Sequence, residues 1–109
     1  MTKVEALAAL KTVLGIADTA QDTMLNGFLD MAAMEILNYK YSYVGIPTGQ
    51  TVPDTEDAMT WVYSVVEGFN RRGAEDQTSH NENQIYRTFK HEDMIAYIRA
   101  RVIPYARVV

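Results

Sequence analysis

The segment from Ala20 to Asn38 places its apolar side chains in two adjacent rows at helical spacing. Met24, Phe28, Met31 and Glu35 make one row, and Leu25, Leu29, Ala32 and Ile36 make the next. Steps of three and four residues bring such positions onto one face of an α-helix. Two rows side by side form a broad stripe that has to be buried. The helix is the longest expected in the chain, about 28 Å at a rise of 1.5 Å per residue. Other elements must cover that stripe, and the periodicity elsewhere says that they are helices too.

A first helix is expected over Lys3 to Leu14, where Val4, Leu7, Leu10 and Leu14 share a face and alanines fill the gaps. Gly15 stands where a left-handed C-terminal residue is needed. Asp18 or Thr19 offers a side-chain oxygen to the first amides of the second helix, and Asp22 follows in its first turn. Pro53-Asp54 opens a third helix, with Glu56 and Asp57 in its first turn. Met59, Val62, Val66 and Phe69 form its inner row, with Trp61 and Val65 beside them and Trp61 in the core. It should end near Arg71, with Gly73 as the stop. A last helix starts at His91-Glu92-Asp93 and runs through Met94, Tyr97, Ile98 and Arg101 to a break at Pro104.

Between these helices, residues 39–53 read as a loop punctuated by Gly45, Pro47, Gly49 and Pro53. Tyr39, Tyr41, Tyr43, Val44 and Ile46 make it unusually apolar. Either it folds back over the core or it meets another subunit, since tyrosine is common at interfaces. Residues 74–84 contain almost nothing apolar and read as a solvated loop. Ile85 to Phe89 alternates apolar and polar residues, as a short extended segment would. The expected fold is all-α, a small bundle of about four helices with a short extended segment near residues 85–89. It forms one domain over 1–109, with a C-terminal tail over 102–109.

Charge is divided along the chain. The net charge is −4 over 109 residues. Twelve acidic and five basic side chains precede residue 85, whereas Arg87, Lys90, Arg99, Arg101 and Arg107 follow against Glu92 and Asp93. An acidic body with a basic end suggests two surfaces with different partners, although chance in a short chain gives the same division. The acidic balance argues against a protein that grips nucleic acid nonspecifically. No apolar run reaches the about 18 residues of a membrane span. Met1 to Glu5 lacks the layout of a secretory leader, and the cytosol is the expected site of synthesis and action. There is no cysteine, so disulfides and thiolate metal sites are excluded.

Catalytic patterns are not found. His80 and His91 have no carboxylate at a metal-binding spacing, and no metal or other cofactor is expected. Phe69-Asn70-Arg71-Arg72-Gly73 lacks the glycines and the Lys-Ser or Lys-Thr of a phosphate loop. Ser42, Ser64 and Ser79 lie outside any Gly-x-Ser-x-Gly turn. The paired carboxylates Glu56/Asp57, Glu75/Asp76 and Glu92/Asp93 stand at helix starts or in loops, where capping and solvation account for them. The six methionines read as core fillers. An enzyme is not expected, unless its catalytic groups lie on a partner.

Several stretches, in order, carry a family resemblance. They are Leu10-Lys11-Thr12-Val13-Leu14-Gly15-Ile16, Asp22, Glu35-Ile36-Leu37-Asn38-Tyr39, Phe69 to Glu75, Thr78-Ser79, Ile85 to Phe89 and Ile103-Pro104-Tyr105. Together they resemble the small head–tail connector, or adaptor, proteins of tailed bacteriophages, often labelled DNA-packaging proteins. Asp76 and Gln84 stand where glycine is expected in that family and Phe89 where tyrosine is common, departures that bear on the loop and not on the helices.

The resemblance implies a helical subunit without catalytic turnover or cofactor. It implies assembly into a ring, commonly a twelvefold one, below the portal at the head–tail junction of the virion. DNA passes through the channel without sequence-specific binding, and head-completion or tail proteins join on the far side. Assembly would take place in the host cytoplasm, away from any membrane. An acidic body suits a conduit, because a basic lumen would hold the phosphates. Candidate subunit or partner contacts are Tyr41, Tyr43, Arg71, Arg72, Glu75, Arg99, Arg101, Tyr105 and Arg107. For Arg71 and Arg72 the alternative role is charge pairing with the helix C-terminus. For the tail, docking on the portal competes with packing back on the bundle. A small helical DNA-binding regulator is the alternative function, with Arg99 and Arg101 on the last helix as its nearest approach to a recognition surface.

Overall fold

A computed structural model of the chain describes residues 1–73 and 90–105, and the side chains of 1–69 and 90–105. In order they form α1 (Lys3–Leu14), α2 (Asp22–Lys40), a 3-10 turn (Thr55–Asp57), α3 (Ala58–Gly73) and α4 (His91–Arg101). No strand occurs among the described residues, and the architecture is the expected all-α small bundle. The expected loop at 74–84 and the extended segment at 85–89 lie outside the described residues.

α1 begins with a reciprocal cap. The Thr2 hydroxyl accepts the Glu5 amide at 3.2 Å, and the Glu5 carboxylate accepts the Thr2 amide at 2.8 Å. That backbone bond holds the Glu5 carboxyl below its ordinary range. At the other end Gly15 has φ +77°, and the Ile16 amide returns to the Lys11 carbonyl at 2.9 Å. Glycine takes this left-handed geometry without a Cβ clash.

α2 is displaced toward the C-terminus by two residues from its expected span. Asp18 accepts the Ala20 amide at 3.2 Å and so closes a local turn instead of capping the helix. The helix starts at Asp22, whose carboxylate takes Lys11 Nζ at 2.7 Å. It continues past Asn38 to Lys40. α3 likewise starts later than expected. The Asp57 amide reaches the Asp54 carbonyl at 2.9 Å, and this tighter turn precedes the regular helix at Ala58.

Ion pairs and ring contacts define the packing. Lys3–Asp30 and Lys11–Asp22 set α1 antiparallel to α2. Lys40–Asp57 at one end and an edge-on Phe28–Phe69 pair at the other set α2 antiparallel to α3. The Lys90 amide donates to the Gly68 carbonyl at 2.8 Å and starts α4 beside α3. The core joins Ala6 and Leu10, Leu25, Leu29, Ala32, Ala33 and Ile36, Trp61, Val62, Val65, Val66 and Phe69, and Met94, Ile98 and Val102. Trp61 is fully buried as expected, and its indole N–H donates to the Leu29 carbonyl at 2.8 Å.

Three expected inner positions face outward instead. Val4, Met31 and Met59 are exposed. On α1 the buried side runs through Ala6 and Leu10, which turns Val4 away from it. On α2 the row of Leu25, Leu29, Ala32 and Ile36 takes the centre of the stripe, and the methionine row flanks it. On α3 the buried arc is centred on Trp61, Val62, Val65 and Phe69, and Met59 falls outside it.

Substitution separates the two kinds of position. Trp61→Phe removes the indole hydrogen bond and leaves a void, and should cost about 2–3 kcal/mol in urea denaturation. Met59→Ala should change stability by no more than about 0.5 kcal/mol. Equal losses at the two sites would contradict this placement.

Candidate interaction surface

The C-terminal end of α2 is organised by one buried lysine. Lys40 lies four residues beyond Ile36 on the buried face, and its side chain is only 4% exposed. An ammonium in such a place needs compensating charge. The polar segment before α3 supplies it, since the 3-10 turn gathers three carboxylates around Lys40 Nζ. Asp57 and Glu56 each stand at 2.8 Å and Asp54 at 3.0 Å. Gln50 donates to Asp54 at 3.0 Å, and the Tyr41 hydroxyl donates to it at 2.6 Å.

Burial alone would lower the Lys40 pKa, but the hydrogen bonds to Asp57, Glu56 and Asp54 outweigh it and push the pKa up. Lys40 is therefore a permanent cation, neither base nor nucleophile. The Tyr41 hydrogen bond, followed by Lys40, holds the Asp54 carboxyl below its usual range. Lys40 does the same for Glu56. The bond to Asp54 raises the Tyr41 phenol. Asp54, Glu56 and Asp57 are close enough together to ligate a metal ion, but the lysine ammonium already stands among them. The arrangement is an ion-pair joint.

The chain after α4 crosses this joint. Val102 is buried, and the Tyr105 amide donates to the Lys40 carbonyl at 2.9 Å. The Tyr105 ring lies 5.1 Å from the Tyr41 ring centre and 5.1 Å from Lys40 Nζ. A cleft of about 390 Å³ opens here, with Lys40, Glu56 and Asp57 on one side and Arg101, Ile103, Pro104 and Tyr105 on the other. Arg101 is exposed and lies flat over Tyr97, 3.7 Å from the ring centre. Arg99 is exposed over Tyr39 at 5.8 Å.

Four of the nine candidate residues are thus brought to one end of the bundle. Tyr41 lies within the joint, Tyr105 over it, and Arg99 and Arg101 at the end of α4. Tyr43 is exposed in the turn after α2. The apolar loop is divided, with Tyr41 packed inward and Tyr43 and Val44 facing out. Arg71 and Arg72 fall in the last turn of α3, their side chains outside those described. Glu75 and Arg107 lie outside the described residues. Sequence reasoning passed over Lys40, and it assigned Glu56 and Asp57 to capping and solvation. The available clue was a lysine in register with Leu29, Ala33 and Ile36, followed across a Gly/Pro loop by Asp54, Glu56 and Asp57.

Removing the cation tests the joint. Lys40→Met leaves Asp57 buried without its partner and should cost roughly 3–5 kcal/mol at neutral pH. The depressed carboxyl pKa values stabilise the fold fully above the ordinary carboxylate range and lose that effect as pH falls through the depressed values. The raised Lys40 pKa works in the opposite sense, its contribution persisting until the pH rises through that value. The stability difference between wild type and variant should therefore narrow from pH 7 to pH 3. A difference that stays constant in urea titrations at both pH values would refute the joint.

No curated protein and no solved structure gives a significant match to the chain. A family model described as phage gp6-like head-tail connector protein covers residues 4–100, and the chain belongs to that family, one of structural phage components rather than of enzymes.

Proposed function

We propose that the protein is a head–tail connector subunit that works by assembly alone. The whole chain, 1–109, acts as one connector domain with a C-terminal tail at 102–109. Copies join into a closed ring, commonly a twelvefold one in such proteins, between the portal and the head-completion or tail proteins. DNA passes through the ring without sequence-specific contacts. Assembly occurs in the host cytoplasm and ends at the head–tail junction of the virion. Tyr41, Tyr43, Arg71, Arg72, Glu75, Arg99, Arg101, Tyr105 and Arg107 are proposed subunit or partner contacts.

The observation that carries this reading is the family match over residues 4–100. The chemistry of the described residues agrees with it. Ser64 is fully buried and donates to the Trp61 carbonyl, so it is no nucleophile. Lys40 is neutralised by its three acids. Val4, Met34, Met59 and Ile103 are exposed, and a ring subunit covers such groups with its neighbours.

Light scattering, on the protein alone and then mixed with portal, tests the proposal. The expected result is a ring-sized species in at least one of the two samples. A monomer in both would overturn it. Salt-sensitive binding of that monomer to duplex DNA would then favour a small helical regulator reading through Arg99 and Arg101.

A further inference from the structure

We propose that the end of α4 is the surface that receives the acidic body of a second copy of this chain, with Arg101 on Tyr97 and Arg99 on Tyr39 as its charged anchors. The proposal rests on the ring reading above and specifies one of its two contact faces. Three observations carry it.

The first is that neither guanidinium group makes an ion pair among the described residues, although Arg101 borders a cleft with Glu67 and Asp93. Lys3, Lys11 and Lys40 each meet a carboxylate within 3.0 Å. Arg101 stacks on Tyr97 and makes one long 3.5 Å bond to the Tyr97 carbonyl. Glu56 shares the cleft with Arg101 but is engaged by Lys40 at 2.8 Å. A guanidinium stacked on a ring keeps its N–H edges free for a planar carboxylate, and its ordering cost is already met within the subunit.

The second observation is the apolar ground beside those charges. Ile103 is 80% exposed and Tyr105 43% exposed, on a segment fixed by buried Val102, Pro104 and the Tyr105–Lys40 backbone bond. Charged anchors next to a rigid apolar patch are the ingredients of a protein interface.

The third is charge complementarity within the chain itself. Twelve acidic and five basic side chains precede residue 85, and the excess of positive charge follows it. Asp18 is an exposed acid on the α1–α2 side, as are Glu5, which also caps α1, and Asp30, which also meets Lys3. A positive patch that meets a negative patch elsewhere on an identical copy makes a heterologous contact, and repetition of such a contact generates rings.

The test uses the full chain and compares wild type with Arg99→Glu/Arg101→Glu and Arg99→Lys/Arg101→Lys. Thermal unfolding by circular dichroism checks that all three fold alike. Assembly is followed by light scattering, alone and with portal, at two ionic strengths. The double reversal should weaken assembly roughly tenfold or more per arginine. The lysine pair should fall between it and wild type, since lysine keeps the charge and loses the planar fork. Raising salt from about 0.1 M to 1 M shortens the screening length from about 10 Å to 3 Å and should weaken wild type more than the reversal.

Reversal variants that assemble as wild type does would overturn this surface and leave the ring reading standing. Loss of portal or duplex DNA binding with self-assembly intact would also overturn it, by assigning the arginines to that partner. Wild type that never assembles would overturn both readings at once.

Discussion

Burying Lys40 creates a debt of charge that one short stretch, Asp54 to Asp57, has to meet, and the end of the bundle is built around meeting it. An ammonium with 4% of its side chain exposed is unstable without nearby anions. Asp54, Glu56 and Asp57 provide them only because the backbone makes a 3-10 turn before α3. That turn delays the start of the regular helix to Ala58. The same lysine offers its carbonyl to Tyr105, which brings the chain after α4 onto the end of α2. The end of α2, the turn before α3 and the chain after α4 therefore meet at one residue. The loop between α2 and the turn is held by Tyr41 and Gln50 on Asp54.

The apolar core and this polar joint divide the work. Burial of Leu29, Ile36, Trp61, Val65 and Ile98 drives association of the helices, but apolar contact is nondirectional. The Trp61–Leu29 hydrogen bond and the Lys40 ion pairs have fixed geometry and select one alignment of α2 against α3. Similarly, Lys3–Asp30 and Lys11–Asp22 lie at two points along α1 and fix its direction on α2. The exposed one is worth little on its own. Its use is to make the reverse orientation worse.

Helix periodicity makes most of the fold legible in the sequence. α1 was readable to both its ends because Gly15 and the three- to four-residue spacing act locally. The bounds of α4 were readable for the same reason. The inner faces of α1, α2 and α3 were less so, because hydropathy ranks Val4 and Met59 as inner residues while the neighbouring helices decide which arc is covered. The joint was the least legible part. Lys40 and Asp57 are seventeen residues apart, and the convergence of three acids depends on a turn type that Thr55-Glu56-Asp57 does not announce. Of the proposed contacts, the residue types were readable as interface-prone, but the grouping of Tyr41, Arg99, Arg101 and Tyr105 was not, since it follows from the antiparallel return of α4.

The ion-pair joint beside Arg101, stacked on Tyr97, and Arg99, near Tyr39, bears on the proposed assembly. A surface that must order itself on binding loses affinity to the entropy of doing so. Here the ordering is done inside the subunit. Lys40 and its acids hold Tyr41 and Tyr105, and Tyr97 and Tyr39 hold the two guanidinium groups. In the proposed ring the benefit would recur at every contact, because each subunit would present the same preformed face. Angular precision matters as much as affinity in that setting, since small errors in one heterologous contact accumulate around the circle and decide whether it closes. A buried salt bridge adds little net stability compared with an apolar core of the same volume. Its directional hold on the end of the bundle is the property that an apolar substitute would lack, and a closing ring is where such a property counts.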